Sequence, residues 1–178
     1  MVPLTMVFLW QLFSMSLSHR LMHLETLAYM FHQLPLDRKI RQDSSTPLLT
    51  PSPELQMISI PAGAATLGLS RNSDDFGWDN EFERHTVDVP SFEIDKYMVT
   101  NGQFLDFLNA GGYETRSLWN DEDWNWKTES RITQPVFWRK RNEAWFYRTM
   151  FDEIPLRPNW PVYVSHAEAS AYAKWAGK

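Results

Sequence analysis

TNGQFLDFLNAGG, residues 100–112, carries the signals of a short amphipathic helix together with both of its ends. Thr100 and Gln103 have the spacing of a capping box, in which each side chain accepts a hydrogen bond from the backbone N–H of the other residue. Gly111 supplies the stop, because glycine readily adopts the left-handed conformation that ends many helices. Three apolar side chains recur with helical spacing and predict the face that packs on a core: Phe104, Phe107 and Leu108.

The last 14 residues, SHAEASAYAKWAGK (165–178), repeat this pattern. Ser165 and Glu168 again have capping-box spacing, and Gly177 marks the end of the helix. The sequence therefore predicts a second capped helix of the same kind. The side chains expected to face inward are Tyr172, Trp175 and Ala176.

Four short strands are predicted before the first of these helices. Two of them lie in residues 55–63 (LQMISIPAG) and 65–70 (ATLGLS), around a Pro-Ala-Gly turn. The other two lie in residues 85–89 (HTVDV) and 91–95 (SFEID), where apolar and polar residues alternate around Pro90.

Residues 113–163, between the two helices, are rich in tryptophan and are predicted to be irregular, with strand-like pieces at 135–138 (PVFW) and 143–148 (EAWFYR). Tryptophan brings a large apolar face and one N–H donor, which suits it to pinning irregular backbone. The sequence therefore predicts an α+β domain with few regular elements and long loops.

Residues 4–34 predict one long helix or a broken pair, because they contain no Gly or Pro and are apolar on nearly every face. A helix that is apolar all round is typical of the centre of a helix bundle. Residues 42–53 (QDSSTPLLTPSP) are rich in Pro, Ser and Thr and predict a linker between domains. We therefore expect the C-terminal helical part of a bundle in residues 1–41 and a second domain in residues 54–178.

Two histidines lie four residues apart in this helix, in the stretch SHRLMHLETLAYMFHQLP (18–35). Residues i and i+4 are about 40° apart around a helix, so His19 and His23 point the same way and could bind one metal ion. A catalytic metal needs at least a third protein ligand, and Glu25, two residues past His23, lies about 200° round the helix from it and cannot easily reach the same ion. His32 also lies on the opposite face from His23. Two ordinary histidines on a bundle helix are the alternative interpretation.

The composition limits which partners the protein could bind and which metal ions it could hold. The 17 Lys and Arg are scattered and are outnumbered by 22 Asp and Glu, which argues against a nucleic-acid surface. No cysteine is present, so a metal would be held by His, Asp, Glu or water, which favours iron, manganese or zinc. The uncharged residues 2–18 lack the basic start and cleavage site of a signal peptide, and their polar residues argue against a membrane span.

Two further patterns have a structural and a functional interpretation. FGWDNEFERH (76–85) is either a solvated loop with local ion pairs or a calcium or substrate loop, but its spacing does not match an EF-hand. One group of tryptophans could either pin the fold or cage a quaternary ammonium ligand: Trp119, Trp124, Trp126, Trp138 and Trp145. No phosphate loop, serine elbow or CxxC motif is present, so no catalytic residue is assigned.

Three motifs together resemble a known family. Pro61-Ala62-Gly63, Val99-Thr100-Asn101 with Phe104, and the ending WAGK (175–178) are similar to landmarks in the first half of a formylglycine-generating-enzyme, or sulfatase-modifying factor, domain. This domain is a variant of the C-type-lectin-like fold, and the resemblance covers about residues 54–178. With the helix HRLMHLETLAYMFHQLP (19–35) before it, the chain resembles the EgtB-like sulfoxide synthases of ergothioneine biosynthesis, in which a DinB-like four-helix bundle precedes the formylglycine-type domain.

This resemblance implies a cytoplasmic, non-haem enzyme that uses Fe(2+) and O2. It would join a cysteine-type thiol, from cysteine or gamma-glutamylcysteine, to the imidazole of trimethylated histidine, forming a C–S bond and a sulfoxide. His19 and His23 would be two of the three iron-binding histidines. The third ligand would come from an earlier helix and the catalytic tyrosine from a later segment, so the chain is expected to be an incomplete, inactive piece. The thiol donor and the role of Glu25 stay open.

Two other functions remain possible at this point. A formylglycine-generating oxidase would act on a sulfatase cysteine, and its chemistry needs a cysteine pair. A non-catalytic, lectin-like binding module would use the helix before it only as structure. Neither alternative accounts for the spacing of His19 and His23.

Overall fold

A computed structural model describes residues 4–40, 51 and 54–178. The predicted linker, residues 42–53, lies outside the described residues except for residue 51. The chain divides into two compact units. The first contains Met1–Leu34 and Met57–Ile94, and the second contains Pro35–Gln56 and Asp95–Lys178.

One unbroken helix, α1, spans Leu4–Gln33 in the first unit. Of the two predicted alternatives, one long helix or a broken pair of helices, the structure shows the single long helix. Its apolar side chains are solvent-exposed on several faces, as shown by Phe8 and Leu24, which are 62% and 63% exposed. The expectation that this helix lies at the centre of a bundle stays a prediction.

Four strands follow α1, and all four predicted strands are confirmed. They are β1 (Met57–Ile60), β2 (Gly63–Leu67), β3 (His85–Val89) and β4 (Phe92–Asp95). Strand β1 pairs with β4, and β2 pairs antiparallel with β3 in a register that sets Ala65 opposite Val87.

Among the residues that the structure describes, the second unit contains three α-helices and a three-stranded sheet. The helices are α2 (Asn101–Asn109), α3 (Asp121–Glu129) and α4 (His166–Trp175). The strands are β5 (Trp138–Arg141), β6 (Ala144–Arg148) and β7 (Glu153–Pro155), antiparallel in the order β5-β6-β7. The mixture of helices and small sheets is the predicted α+β class.

The ends of α2 and α4 follow the sequence signals closely. Gln103 Oε1 accepts a hydrogen bond from the Thr100 N–H at 2.8 Å, and Thr100 Oγ1 accepts one from the Gln103 N–H at 3.4 Å. The Ser165 N–H donates to Glu168 Oε2 at 2.8 Å in the same arrangement. Gly111, just after α2, has a φ of 78°, which is the left-handed conformation that the stop signal predicted.

An aromatic cluster forms the core of the second unit. Phe104 and Phe107 of α2 are 1% and 0% exposed, and the Phe104 ring lies 5.5 Å from that of Tyr172 and 6.2 Å from that of Trp138. Close packing of large rings removes much apolar surface from water and supplies most of the stabilisation available to a small domain.

The inward face of α4 agrees with the prediction at Tyr172, which is buried, and at Ala176, which packs partly buried against the core, but not at Trp175. Its buried residues are Ala167, Glu168, Ala171 and Tyr172. Trp175 was expected to face inward but is 39% exposed, although its ring still lies 5.7 Å from that of Phe107. The prediction was wrong because Ala171 takes the closest position against the core, which leaves Trp175 at its rim.

The prediction for residues 113–163 is confirmed at the strand-like piece 143–148, which forms β6, but it missed helix α3 and was wrong at 135–138. Helix α3 begins after Asn120, whose Oδ1 accepts a hydrogen bond from the Asp123 N–H at 2.7 Å. Residues 135–138 turn rather than extend, because the Pro135 carbonyl accepts a hydrogen bond from the Trp138 N–H at 2.9 Å. Strand β5 therefore starts only at Trp138.

A buried polar pair joins α4 to the segment after α2. Glu168 is 4% exposed, and the Tyr113 hydroxyl donates a hydrogen bond to its Oε1 at 2.5 Å. Burial, and then the charge of Glu168, raise the pKa of Tyr113 above its ordinary value. The neutral phenol is therefore the form that the folded protein stabilises.

We expect Tyr113→Phe to make stability less sensitive to alkaline pH. In the wild type the unfolded chain loses the Tyr113 proton near pH ~10, whereas the folded chain keeps it, so stability falls as pH rises above that value. Urea unfolding at pH 8 and at about pH 10.5 measures this slope. At pH 8 the free energy of unfolding of the variant should be about 1–3 kcal/mol lower than that of the wild type, because phenylalanine cannot donate the hydrogen bond to Glu168. Between pH 8 and about 10.5 its free energy of unfolding should fall less than that of the wild type.

Tyr97→Phe is the matched control, because Tyr97 is 52% exposed. In this control the free energy of unfolding should change with pH as steeply as in the wild type. An unchanged slope in Tyr113→Phe would show that this phenol is not the alkaline-sensitive group.

Candidate metal centre

The structure brings His19 and His23 together on α1. Their Nε2 atoms are 3.0 Å apart, and their ring centroids are 4.5 Å apart. Side chains at i and i+4 lie one above the other on a helix, so the backbone alone produces this approach. Both residues are exposed, which leaves the paired nitrogens open to ligands from solvent.

The separation of the two nitrogens is short enough for both to bind one metal ion. Two nitrogen ligands about 2.1 Å from one ion are about 3.0 Å apart at a 90° angle and about 3.4 Å apart at a tetrahedral angle. The observed 3.0 Å lies within reach of one ion and does not select a coordination geometry. Imidazole nitrogen is a suitable donor for such an ion.

The same separation permits a hydrogen bond when no metal is present. One neutral ring can donate its Nε2–H to the unprotonated Nε2 of the other ring. This contact and metal binding both require an unprotonated Nε2 on at least one ring.

Within residues 4–40, 51 and 54–178, no three His, Cys, Asp or Glu side chains are grouped so as to hold a metal ion. Glu25 is exposed, and His32 is half-buried nine residues beyond His23. In the described part of the chain, His19 and His23 therefore form a pair with no third such side chain grouped beside them.

The five tryptophans considered as a ligand cage do not form one open group. Trp119 and Trp138 are 2% and 0% exposed. The Trp119 indole N–H donates to a backbone carbonyl at 2.9 Å, and the Trp145 ring packs edge-on against Trp138 with 5.6 Å between centroids. This arrangement favours pinning of the core over stacking of a ligand.

The polar loop at residues 76–85 is held by local contacts. Glu81 Oε2 accepts a hydrogen bond from the Trp78 N–H at 2.6 Å. Glu83 forms an ion pair with Arg71, whose guanidinium lies 5.3 Å from the centroid of the Phe82 ring. These contacts match the interpretation of a solvated loop with local ion pairs.

Sequence reasoning did not anticipate a cavity of about 260 Å³ beside the start of α2. Its lining includes Asp95, Tyr97 and Gln103. Asp95 accepts a hydrogen bond from Lys178 Nζ at 2.5 Å, and Gln103 belongs to the helix cap. Asp95 and Gln103 thus already have hydrogen-bond partners within the fold. No helix in the part of the chain that the structure describes, α1 included, is long and apolar enough to cross a membrane.

Comparison with known proteins places most of the chain in one family. Residues 45–178 match the family described as the sulfatase-modifying factor enzyme 1-like domain. The chain is 33% identical over 167 residues to a hercynine oxygenase from Mycobacterium tuberculosis, in a match that covers 93% of this chain and 39% of the relative. It is 32% identical over 154 residues to the formylglycine-generating enzyme of Bos taurus, covering 79% of this chain and 41% of the relative.

The hercynine oxygenase match bears on the histidine pair. It leaves out 7% of the chain, which is fewer residues than the 18 that precede His19. The match therefore includes the part of α1 that carries the pair.

The ergothioneine biosynthesis protein 1 of Schizosaccharomyces pombe is also similar, at 28% identity over 119 residues. The chain spans less than half the length of the curated relatives that it matches. Because the family domain accounts for three quarters of its residues, the chain belongs to the sulfatase-modifying factor enzyme 1-like domain family.

Proposed function

We propose that this chain is part of a non-haem Fe(II), O2-dependent sulfoxide synthase of ergothioneine biosynthesis. One observation carries the proposal: the similarity to hercynine oxygenase extends through the helix on which His19 and His23 hold their Nε2 atoms 3.0 Å apart. The family domain itself, residues 45–178, does not include the histidine pair.

The proposed substrates are trimethylated histidine, a thiol from cysteine or gamma-glutamylcysteine, and O2. The overall reaction removes one thiol hydrogen and one imidazole C–H hydrogen and forms a C–S bond. One oxygen atom enters the sulfoxide and the other leaves as water, so O2 is the only oxidant required. We place the enzyme in the cytoplasm, where thiol substrates are kept reduced.

His19 and His23 would hold the iron through their Nε2 atoms. Each Nε2 must then be unprotonated, so the single proton of each neutral ring lies on Nδ1. When bound, Fe(II) would supply Lewis-acid and redox chemistry toward the thiol and O2. As neutral ligands, His19 and His23 would add no negative charge to the site.

A formylglycine-generating oxidase is the second candidate, favoured by the match to the bovine enzyme. That match covers less of the chain than the hercynine oxygenase match does, 79% against 93%. The first function therefore accounts for more of this sequence.

Product analysis of the full-length gene product separates the two candidates. The protein, loaded with Fe(II) without air, is mixed with trimethylated histidine, each of the two thiols and ¹⁸O-labelled O2. We expect a sulfoxide that carries one ¹⁸O atom, detected by mass spectrometry. Formylglycine formed on a cysteine-containing sulfatase peptide, with no sulfoxide from the small molecules, would contradict the proposal and support the second candidate.

A further inference from the structure

The start of α2 contains the one Asn-Gly pair in the sequence, Asn101-Gly102. In a flexible chain such a pair is prone to deamidation, because glycine has no side chain to hinder its backbone nitrogen from approaching the preceding amide. The Gly102 nitrogen attacks Asn101 Cγ, a five-membered succinimide ring forms, and Nδ2 takes up the displaced proton and leaves as ammonia. Water then opens the ring to aspartate or to isoaspartate, in which the main chain passes through the former side chain.

In the folded protein, one segment of the second unit accepts hydrogen bonds from all three nitrogen atoms of this pair. The Asn101 N–H donates to the Trp160 carbonyl and the Gly102 N–H donates to the Pro158 carbonyl, both at 2.8 Å. Asn101 Nδ2 donates to the Arg157 carbonyl at 2.9 Å. The attacking nitrogen and the leaving group of the reaction are therefore both held by other partners.

Burial and helix geometry add to this protection. Asn101 is 0% exposed, so water and hydroxide do not reach its amide. It is also the first residue of α2, where the helix fixes its backbone dihedral angles, whereas closure of the succinimide ring requires those angles to change. Release of the start of α2 from the segment would remove all of these constraints together.

Packing explains why a glycine stands at this position. A Cβ atom on residue 102 would lie 3.2 Å from the Pro158 carbonyl oxygen and 3.3 Å from Pro158 Cβ. Both distances are tighter than ordinary van der Waals contact, so a side chain would crowd the hydrogen bond between these residues. The absence of a side chain that permits this close contact also makes the bond between residues 101 and 102 reactive once it is released.

The product of deamidation would not fit the place that Asn101 occupies. An aspartate oxygen in place of Nδ2 would face the Arg157 carbonyl oxygen, so a hydrogen bond would become a repulsion between two acceptors. The other oxygen would take the place of Oδ1, which accepts no hydrogen bond from the described residues. A helix N-terminus favours negative charge, but this gain is smaller than the cost of burying an unpaired carboxylate.

We propose that Asn101-Gly102 is a deamidation site that residues 157–160 hold unreactive, and that local opening of the start of α2 allows its irreversible conversion. Water is the only co-reactant, and the modification does not depend on the proposed function. Because the product does not repack, the reaction limits how long the second unit keeps its fold.

Deamidation rates of the full-length gene product test this proposal. The protein is kept in mildly alkaline buffer, with and without concentrated urea, and peptides that contain residue 101 are followed by mass spectrometry after digestion. We expect the folded wild type to deamidate at least about tenfold more slowly than the urea-unfolded chain. Equal rates would overturn the protection by residues 157–160.

Two helix-cap variants distinguish local opening from unfolding of the whole unit. Thr100→Ala removes the cap of α2, and Ser165→Ala removes that of α4. Each rate is divided by the rate of the same variant in urea. Loss of a typical cap raises the open population about fivefold, so we expect Thr100→Ala to deamidate about fivefold faster and Ser165→Ala to stay within about twofold of the wild type. Equal rates in the two variants would overturn local opening at α2.

Asn101→Asp tests whether the product repacks, and Asn109→Asp is its matched control. Asn109 is the last residue of α2 and is exposed, so this variant adds the same charge without burying it. We expect hydrogen exchange of residues 101–104 to be at least about tenfold faster in Asn101→Asp than in Asn109→Asp. Equal exchange in the two variants would overturn the claim that the modification is irreversible for the fold.

Discussion

His19→Ala and His23→Ala are each expected to weaken Fe(II) binding by at least about 100-fold and to abolish sulfoxide formation. Groups that merely orient a metal ligand are worth about 10–100-fold in affinity, and a ligand itself is worth at least as much. Removing either ring also destroys the pair, whose Nε2 atoms are 3.0 Å apart. The measurement is an anaerobic Fe(II) titration with iron quantified after desalting, alongside product analysis.

His32→Ala is the matched control, since it removes a histidine from the same helix at a position on the opposite face from His23. Iron binding and turnover should stay within about twofold of the wild type, which is far below the expected effect of removing a ligand. Full iron content in both His19→Ala and His23→Ala would mean that the metal is bound elsewhere.

Trp138→Ala is expected to lower the free energy of unfolding of the second unit by about 3–5 kcal/mol, the usual cost of truncating a fully buried large aromatic residue. The side chain is 0% exposed, and its ring lies 6.2 Å from that of Phe104 and 5.6 Å from that of Trp145. Among the described residues no group accepts a hydrogen bond from its indole Nε1. The lower free energy of unfolding would therefore report lost packing of the ring and not a broken hydrogen bond.

Urea unfolding followed by circular dichroism gives this free energy, and Trp126→Ala serves as the control. Trp126 lies on α3 and is 39% exposed, so its removal should cost no more than about 1 kcal/mol. Equal effects of the two substitutions would show that Trp138 is not a central member of the core.

The features that sequence predicted well are local ones. The capping boxes of α2 and α4 depend on residues three positions apart, and the approach of His19 to His23 depends on residues four positions apart. Contacts over so short a distance follow from backbone geometry alone. The four strands of residues 57–95 were equally local, because alternation and a Pro-centred turn are visible within ten residues.

The features that sequence missed depend on the rest of the chain or on a weak pattern. Helix α3 has no apolar stripe, and its only signals are the Asn120 cap and the acidic first turn of residues 121–123. The exposure of Trp175 depends on which residues of α4 pack most closely on the core. A short stretch of sequence does not reveal this. The contact of Lys39 with Met150 spans 111 residues and was likewise invisible in the sequence.

For the candidate site, periodicity could identify the histidine pair but not its function. Two imidazoles on a helix are compatible with a metal centre and with an ordinary pair of surface side chains. The resemblance of residues 54–178 to the formylglycine-type domain raised the first interpretation, and the family match of residues 45–178 now supports that resemblance. Ligands beyond the pair are long-range features, which local patterns do not reveal.

Nitrogen-15 NMR of the histidine side chains during a titration with Zn(II), a diamagnetic substitute for Fe(II), shows directly whether His19 and His23 bind one ion. We expect the Nε2 resonances of His19 and His23 to shift together and to reach their end point at one metal ion per chain, while those of His32 do not move. Resonances that stay in place, or a shift of only one of the two histidines, would contradict this expectation.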